Sequence, residues 1–120
     1  MNDKISVYGA TGFIGSKFCS MYRDSVIPIS RNENSSKTSQ ILYFISTTTN
    51  YNVLDNPFLD IKTNLDKLIR VLEANKNKKN LVFNFISSWF VYGKAKKIPA
   101  CENTHCNPKG FYSITKRTAE

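Results

Sequence analysis

The sequence predicts an α/β fold, a doubly wound parallel sheet truncated to about four strands with flanking helices. Three observations predict it. Short apolar, β-branched segments alternate with stretches of helical period; the first of them runs into a glycine turn that opens a helix; and a central segment is apolar at successive positions, as in sheets covered on both faces.

In chain order, "KISVYGA" alternates and ends in glycine, which gives a strand over Lys4 to Tyr8. "GFIGSKFCSMYRD" follows with Ile14, Phe18 and Met21 at helical spacing. "SVIPIS" reads as a second short strand, and its Pro28, which has no N–H to donate, moves that strand to an edge or a bulge. "RNENSSKTSQ" has neither period and reads as loop. "ILYFIST" is a third strand. "NPFLDIKTNLDKLIRVLEAN" sets Phe58, Ile61, Leu65, Leu68, Ile69 and Leu72 three and four apart, with Asn56 as N-cap and Pro57 as first helical residue; it is the strongest helix in the chain. "LVFNFIS" gives a fourth strand, "YGKAKKIPACENTHCNPKG" a long loop, and "FYSITKRTAE" the start of another helix. Parallel strands joined this way require right-handed crossovers.

A chain of 120 residues holds one domain. Its most apolar stretch, "LVFNFISSWFVY", is interrupted by Asn84, Ser87 and Ser88 and falls short of the ~20 apolar residues of a membrane span. "MNDKISVYGA" lacks the pattern of a secretory signal, so the three cysteines are expected as free thiols in a reducing, cytoplasmic setting. The formal charge of +8 is concentrated in "NKNKKN" and "KAKK", loop-like runs without interleaved arginine and aromatic residues. That pattern is a solvated basic surface, and neither nucleic acid nor a membrane is expected as a partner. "CENTHC" offers Cys101, His105 and Cys106, but zinc sites take four ligands in paired spacings and Cys19 lies on the first helix; no metal site is expected.

At the first strand-to-helix junction "YGATGFIG" spaces Gly9, Gly12 and Gly15 three apart. Glycine there permits a tight bend and a close approach to phosphate, while the first amides and the dipole of the helix receive negative charge. Thr11 adds a hydroxyl. No Walker loop can be laid over the segment. Its place, after a strand and opening a helix near the start of the chain, is that of the first βα unit of a Rossmann-type dinucleotide fold.

"GATGFIG", "SSWFVYG" at Ser87 to Gly93 and "YSITK" at Tyr112 to Lys116 stand in the order and approximate spacing of the extended short-chain dehydrogenase/reductase family. The chain resembles its NAD-dependent epimerase/dehydratase type, which acts on nucleotide sugars. The resemblance implies that Gly9, Thr11, Gly12, Phe13, Ile14 and Gly15 hold the cofactor pyrophosphate, that Ser46 and Thr47 line the nicotinamide-side ribose, and that Asn64 occupies a position where the family often has asparagine. A polar residue on a helix flank reads Asn64 equally well. At the end of the second strand NAD users commonly place an acid, whereas this chain has Ser30 and Arg31, which favours NADP over NAD; Arg31 also reads as a solvated loop arginine, and Glu33 close by keeps both cofactors open. The connection to "ILYFIST" is about ten residues, without the further helix and strand the family usually inserts. Family members also continue past the Tyr-Lys helix, so the chain corresponds to the cofactor-binding part, without a substrate-binding region.

Tyr112 and Lys116, four apart, share a helix face. A phenol with its usual pKa of about 10 is a poor base, and a neighbouring ammonium favours the phenolate. The resemblance implies that Tyr112 moves a proton on or off a sugar hydroxyl or carbonyl, that Ser88 orients that oxygen, and that Lys116 assists Tyr112 and holds the cofactor ribose. It also implies a homodimer through the helices at Phe58 to Leu72 and at Tyr112. Glu102 reads as a loop-ordering residue, and Trp89 and Phe90 either line a substrate pocket or pack in the core, of which the core is expected. Two readings stand side by side: an NAD(P)-dependent epimerase, dehydratase or reductase of nucleotide sugars, and a non-catalytic NAD(P)-binding remnant or redox-sensing module.

Overall fold

The computed structural model describes residues 4–48 and 56–120. Four strands, β1 (Ile5–Tyr8), β2 (Val26–Pro28), β3 (Gln40–Tyr43) and β4 (Val82–Phe85), form one parallel sheet in the order β2-β1-β3-β4. Ile5 lies opposite Val26 on one side and Gln40 on the other, and Gln40 lies opposite Val82. The strand order therefore reverses between β1 and β3, the switch point at which doubly wound sheets open a crevice outside their carboxyl ends. This is the α/β class and strand number expected from sequence. Pro28 lies on β2, which among the described residues pairs only with β1, so the missing N–H faces an edge.

Two compact units divide the chain, Met1–Ser46 with Lys67–Ile86, and Thr47–Asp66 with Ser87–Glu120. The first holds the sheet, helix α1 (Phe13–Met21) and helix α3 (Lys67–Asn75). Its core is Val7, Tyr8, Val26, Ile29, Ile41, Tyr43, Leu68 and Val71, all buried.

In this unit the crossover from β2 to β3 passes β1 without a helix, as the polar run predicts. Hydrogen bonds take the place of an apolar helix face. Buried Ser6 on β1 accepts through Oγ from the amides of Lys37 and Thr38 at 3.1 and 3.0 Å. The buried Asn75 amide accepts from Ser36 N and Oγ and donates to the carbonyls of Asn34 and Val71. Tyr8 Oη donates to the Asn34 carbonyl at 2.6 Å, and Lys67 Nζ to the Asn34 side-chain oxygen at 2.6 Å.

The long helical run departs from its expected form. It begins as α2 (Phe58–Asp60), with Pro57 rather than Asn56 as N-cap, passes through a wide π turn at Ile61–Asp66, and continues as α3. Its most deeply buried residues are Asp60, Asn64, Leu68, Val71 and Asn75, spaced four, four, three and four apart. Phe58, Ile61 and Ile69 from the apolar repeat are instead 74%, 46% and 57% exposed.

The second unit holds α2, the π turn, a 3-10 turn at Trp89–Tyr92, a loop and helix α4 (Phe111–Ala119). The loop closes on itself where Asn107 N donates to the Tyr92 carbonyl, beside Gly93 with φ +61°. A β-carbon on Gly93 would stand 2.0 Å from the Asn107 carbonyl oxygen, so only glycine fits. Trp89 and Phe90 are 52% and 51% exposed, which overturns the expectation that they pack in the core. A single helical turn between strand and loop has too little apolar cover to enclose two large rings.

Candidate active site

In the first unit the glycine turn is built by close backbone contact. Gly9 has φ +76°, and Gly12 N donates to its carbonyl at 3.0 Å. A β-carbon on Gly15 would lie 2.1 Å from that same carbonyl oxygen, and one on Gly9 would lie 3.0 Å from Ile45 N, just beyond β3. The turn thus presses between the start of α1 and the end of β3, at the switch point. Gly12 is the N-cap of α1, with no side chain to cap it and no acidic residue in the first turn. The amides of Phe13, Ile14 and Gly15 have the orientation of a helix start without a competing carboxylate, the arrangement that receives an anion. Thr11 is exposed and Phe13 is 94% exposed beside them; Ile14 is exposed as well.

Past β2, Ser30 and Arg31 are exposed. Glu33 is bound at 2.6 Å by Lys37, which draws its carboxyl below the ordinary range. The one acid that blurred the choice of cofactor is therefore engaged by a lysine. Ser46 is half-buried past the end of β3.

In the second unit a buried polar network joins residues far apart in sequence. Thr47 N donates to Asn64 Oδ1 at 2.9 Å, and Asn64 Nδ2 donates to Thr47 Oγ1 at 3.1 Å and to Thr115 Oγ1 at 3.0 Å. Thr47 Oγ1 donates in turn to Asp60 Oδ1 at 2.5 Å. On α4, Thr115 Oγ1 lies 2.9 Å from the carbonyls of both Phe111 and Tyr112. Asn64 is 2% exposed, and its amide is directed at protein partners on all three of these bonds.

Tyr112 is half-buried and meets the Phe90 ring edge-on, with centroids 5.9 Å apart and planes at 89°. Ser88 caps the 3-10 turn, accepting from Phe90 N at 3.3 Å. The Phe90 ring thus links the turn that carries Ser88 to the helix that carries Tyr112 and Lys116. Lys116 is 2% exposed; burial lowers its ammonium pKa to about 8, against a smaller opposing pull from Glu120.

The sequence singles out Thr47, Asn64, Ser88, Tyr112 and Lys116, and it does not single out Asp60 and Thr115, which the buried network joins to Thr47 and Asn64. In the structure Asp60 opens the buried four-four-three-four stripe, which no local pattern of the sequence marks.

The model of the GDP-mannose 4,6 dehydratase family matches residues 51–120. Among solved structures, RMD from Pseudomonas aeruginosa, complexed with NADPH, is similar over 98% of this chain and 47% of its own, with a TM-score of 0.79 and 18% identity. UDP-glucose 4-epimerase from Brucella ovis, in complex with NAD, is similar over 98% and 45%, with a TM-score of 0.83 and 18% identity. UDP-N-acetylglucosamine 4-epimerase from Methanobrevibacter ruminantium, in complex with UDP-N-acetylmuramic acid, is similar over 100% and 49%, with a TM-score of 0.79 and 19% identity. The chain thus spans about half the length of these proteins, whose fold it shares. No curated protein sequence matches it. Among the described residues no helix is long and apolar enough to cross a membrane.

Proposed function

Because the chain belongs to the GDP-mannose 4,6 dehydratase family, of the epimerase/dehydratase type of extended short-chain dehydrogenases/reductases, we propose that it is the cofactor-binding part of an NAD(P)-dependent enzyme acting on a nucleotide sugar. The observation that carries this reading is the pairing, on one helix, of half-buried Tyr112 with Lys116, whose buried ammonium has its pKa lowered to about 8. Lys116 is 2% exposed on the helix that also presents Tyr112, and taking an ammonium out of water costs free energy.

The glycine turn fits a dinucleotide. The uncapped start of α1 and the absence of β-carbons at Gly9, Gly12 and Gly15 leave backbone amides for the pyrophosphate, with Thr11, Phe13 and Ile14 around it. Arg31, with Ser30, receives the 2′-phosphate of NADP, the favoured cofactor; NAD is the other candidate, and the two relatives solved with NADPH and with NAD span both. When bound, the nicotinamide supplies the hydride acceptor or donor.

The chain's own residues then supply the proton chemistry. Ser88 donates to the reacting sugar oxygen and fixes its position. Tyr112 takes the proton from that oxygen as it becomes a carbonyl and returns it in the reverse direction. Lys116 holds the nicotinamide-side ribose and assists Tyr112. Ser46 and Thr47 line that ribose, and Asn64 is the asparagine the family often has at its position. A nucleotide sugar as substrate is supported by the family and by the relative solved with UDP-N-acetylmuramic acid. Cytoplasmic location and dimerisation through the helical run and α4 belong to the same proposal.

The test is the Tyr112→Phe variant of the longest available form of the protein. Hydride transfer, followed by nicotinamide absorbance with nucleotide sugars, should fall by at least ~100-fold while NADPH binding persists. Undiminished transfer would sink the reading.

A further inference from the structure

We propose that Asp60 is a positioning residue whose carboxylate, through the Thr47 hydroxyl and the Asn64 amide, fixes the first turn of the helix that carries Tyr112. The proposal rests on the functional reading above for its consequence in catalysis, but the network stands independently of it. Asp60 is 4% exposed, and a buried carboxylate is retained only where hydrogen bonds offset its desolvation. The Thr47 hydroxyl proton is committed to Asp60, at 2.5 Å, and Thr47 Oγ1 presents a lone pair to Asn64 Nδ2 at 3.1 Å.

Direction then propagates. Thr47 N holds Asn64 Oδ1, so both Asn64 N–H bonds point outward, one to Thr47 Oγ1 and the other to Thr115 Oγ1. Thr115 Oγ1, having accepted, turns its own proton to the carbonyls of Phe111 and Tyr112. Without Asp60 the Thr47 hydroxyl has Asn64 Oδ1 as an alternative acceptor at 3.5 Å, where it would compete with the backbone bond that orients the amide. The π turn places Asp60 and Asn64 so that a single threonine bridges them.

Amide hydrogen exchange of the full chain at Ile114, Thr115 and Lys116 reads this directly. In Asp60→Ala those amides should exchange about tenfold faster while amides of β1 and β3 keep their rates. Asp60→Asn, which retains an acceptor oxygen, should restore protection. Thr47→Val should reproduce the loss, and adding it to Asp60→Ala should add little, because both break one chain of bonds. Unchanged rates on α4 in Asp60→Ala, acceleration spread equally over β1 and β3, or failure of Asp60→Asn to rescue would each overturn the proposal. Should Asp60→Ala not fold, Thr47→Val carries the same comparison. In an active longer form, Asp60→Ala should lower kcat about tenfold with the affinity for NADPH unchanged, and Asp60→Asn should recover it. Exchange results as expected in a protein without hydride transfer would reject the functional reading and leave the network in place.

Discussion

Asn64 and Thr115, 51 residues apart in sequence, meet side chain to side chain at 3.0 Å, and both are buried. The bond ties the π turn to the helix of Tyr112 and Lys116 within one compact unit.

Replacing Asn64 by leucine keeps the volume but leaves Thr47 N without this acceptor and Thr115 Oγ1 without this donor. Each buried group so orphaned costs ~1–3 kcal/mol, so the urea midpoint should fall by the equivalent of about 2–4 kcal/mol with the denaturant slope unchanged. A loss below ~0.5 kcal/mol, the level of an ordinary surface substitution, would show that the amide is dispensable.

Gly15→Ala and Gly12→Ala should separate sharply. The added methyl at Gly15 would stand 2.1 Å from the Gly9 carbonyl oxygen, a collision only backbone movement relieves, whereas at Gly12 the same oxygen is 3.3 Å away. Thermal denaturation should show a loss of several kcal/mol, roughly 2–4, for Gly15→Ala and about 1 or less for Gly12→Ala. Titration of NADPH fluorescence should show Gly15→Ala as the weaker binder.

Lys116 makes stability depend on pH with a defined sign. Its folded pKa of about 8 lies below the ordinary 10.5, so between those values the unfolded chain binds more protons and stability from this group rises with pH. Below pH ~8 the whole burial penalty, roughly 3 kcal/mol, is present. Lys116→Met should therefore be more stable than the parent at pH 7, with the difference shrinking as pH rises through 8 to 10. Burial raises the phenols of Tyr8 and Tyr43, so their destabilising ionisation acts at higher pH in both proteins and cancels in the difference. A gap in urea midpoint independent of pH would contradict the assignment.

Arg31→Ala should weaken NADP binding about tenfold and NAD binding little, since a charge-assisted bond to a phosphate contributes ~1.5 kcal/mol or more. Parallel titrations with the two reduced cofactors decide it. Equal losses would move Arg31 out of the cofactor site.

The glycine turn was legible because its meaning is local: a strand ends, a helix begins, and the residues between must lack β-carbons for both to approach. The register of Tyr112 and Lys116 was legible for the same reason, as spacing along one helix. The apolar repeat found the long helix but not the face it buries, since Phe58 and Ile69 are exposed while Asp60, Asn64 and Asn75 are enclosed. Trp89 and Phe90 were misassigned to the core because hydrophobicity records a tendency to be buried, not whether cover exists.

By itself, then, the sequence determined the parallel α/β class, the glycine turn and the Tyr-Lys helix, all written in periods and spacings of a few residues. Tertiary structure decided which polar groups are enclosed and how they pair: Asn75 with Ser36, Asp60 with Thr47, Asn64 with Thr115. Such a group can be buried only where a partner waits across space, and partners 13, 39 and 51 residues away leave no local pattern from which burial can be read.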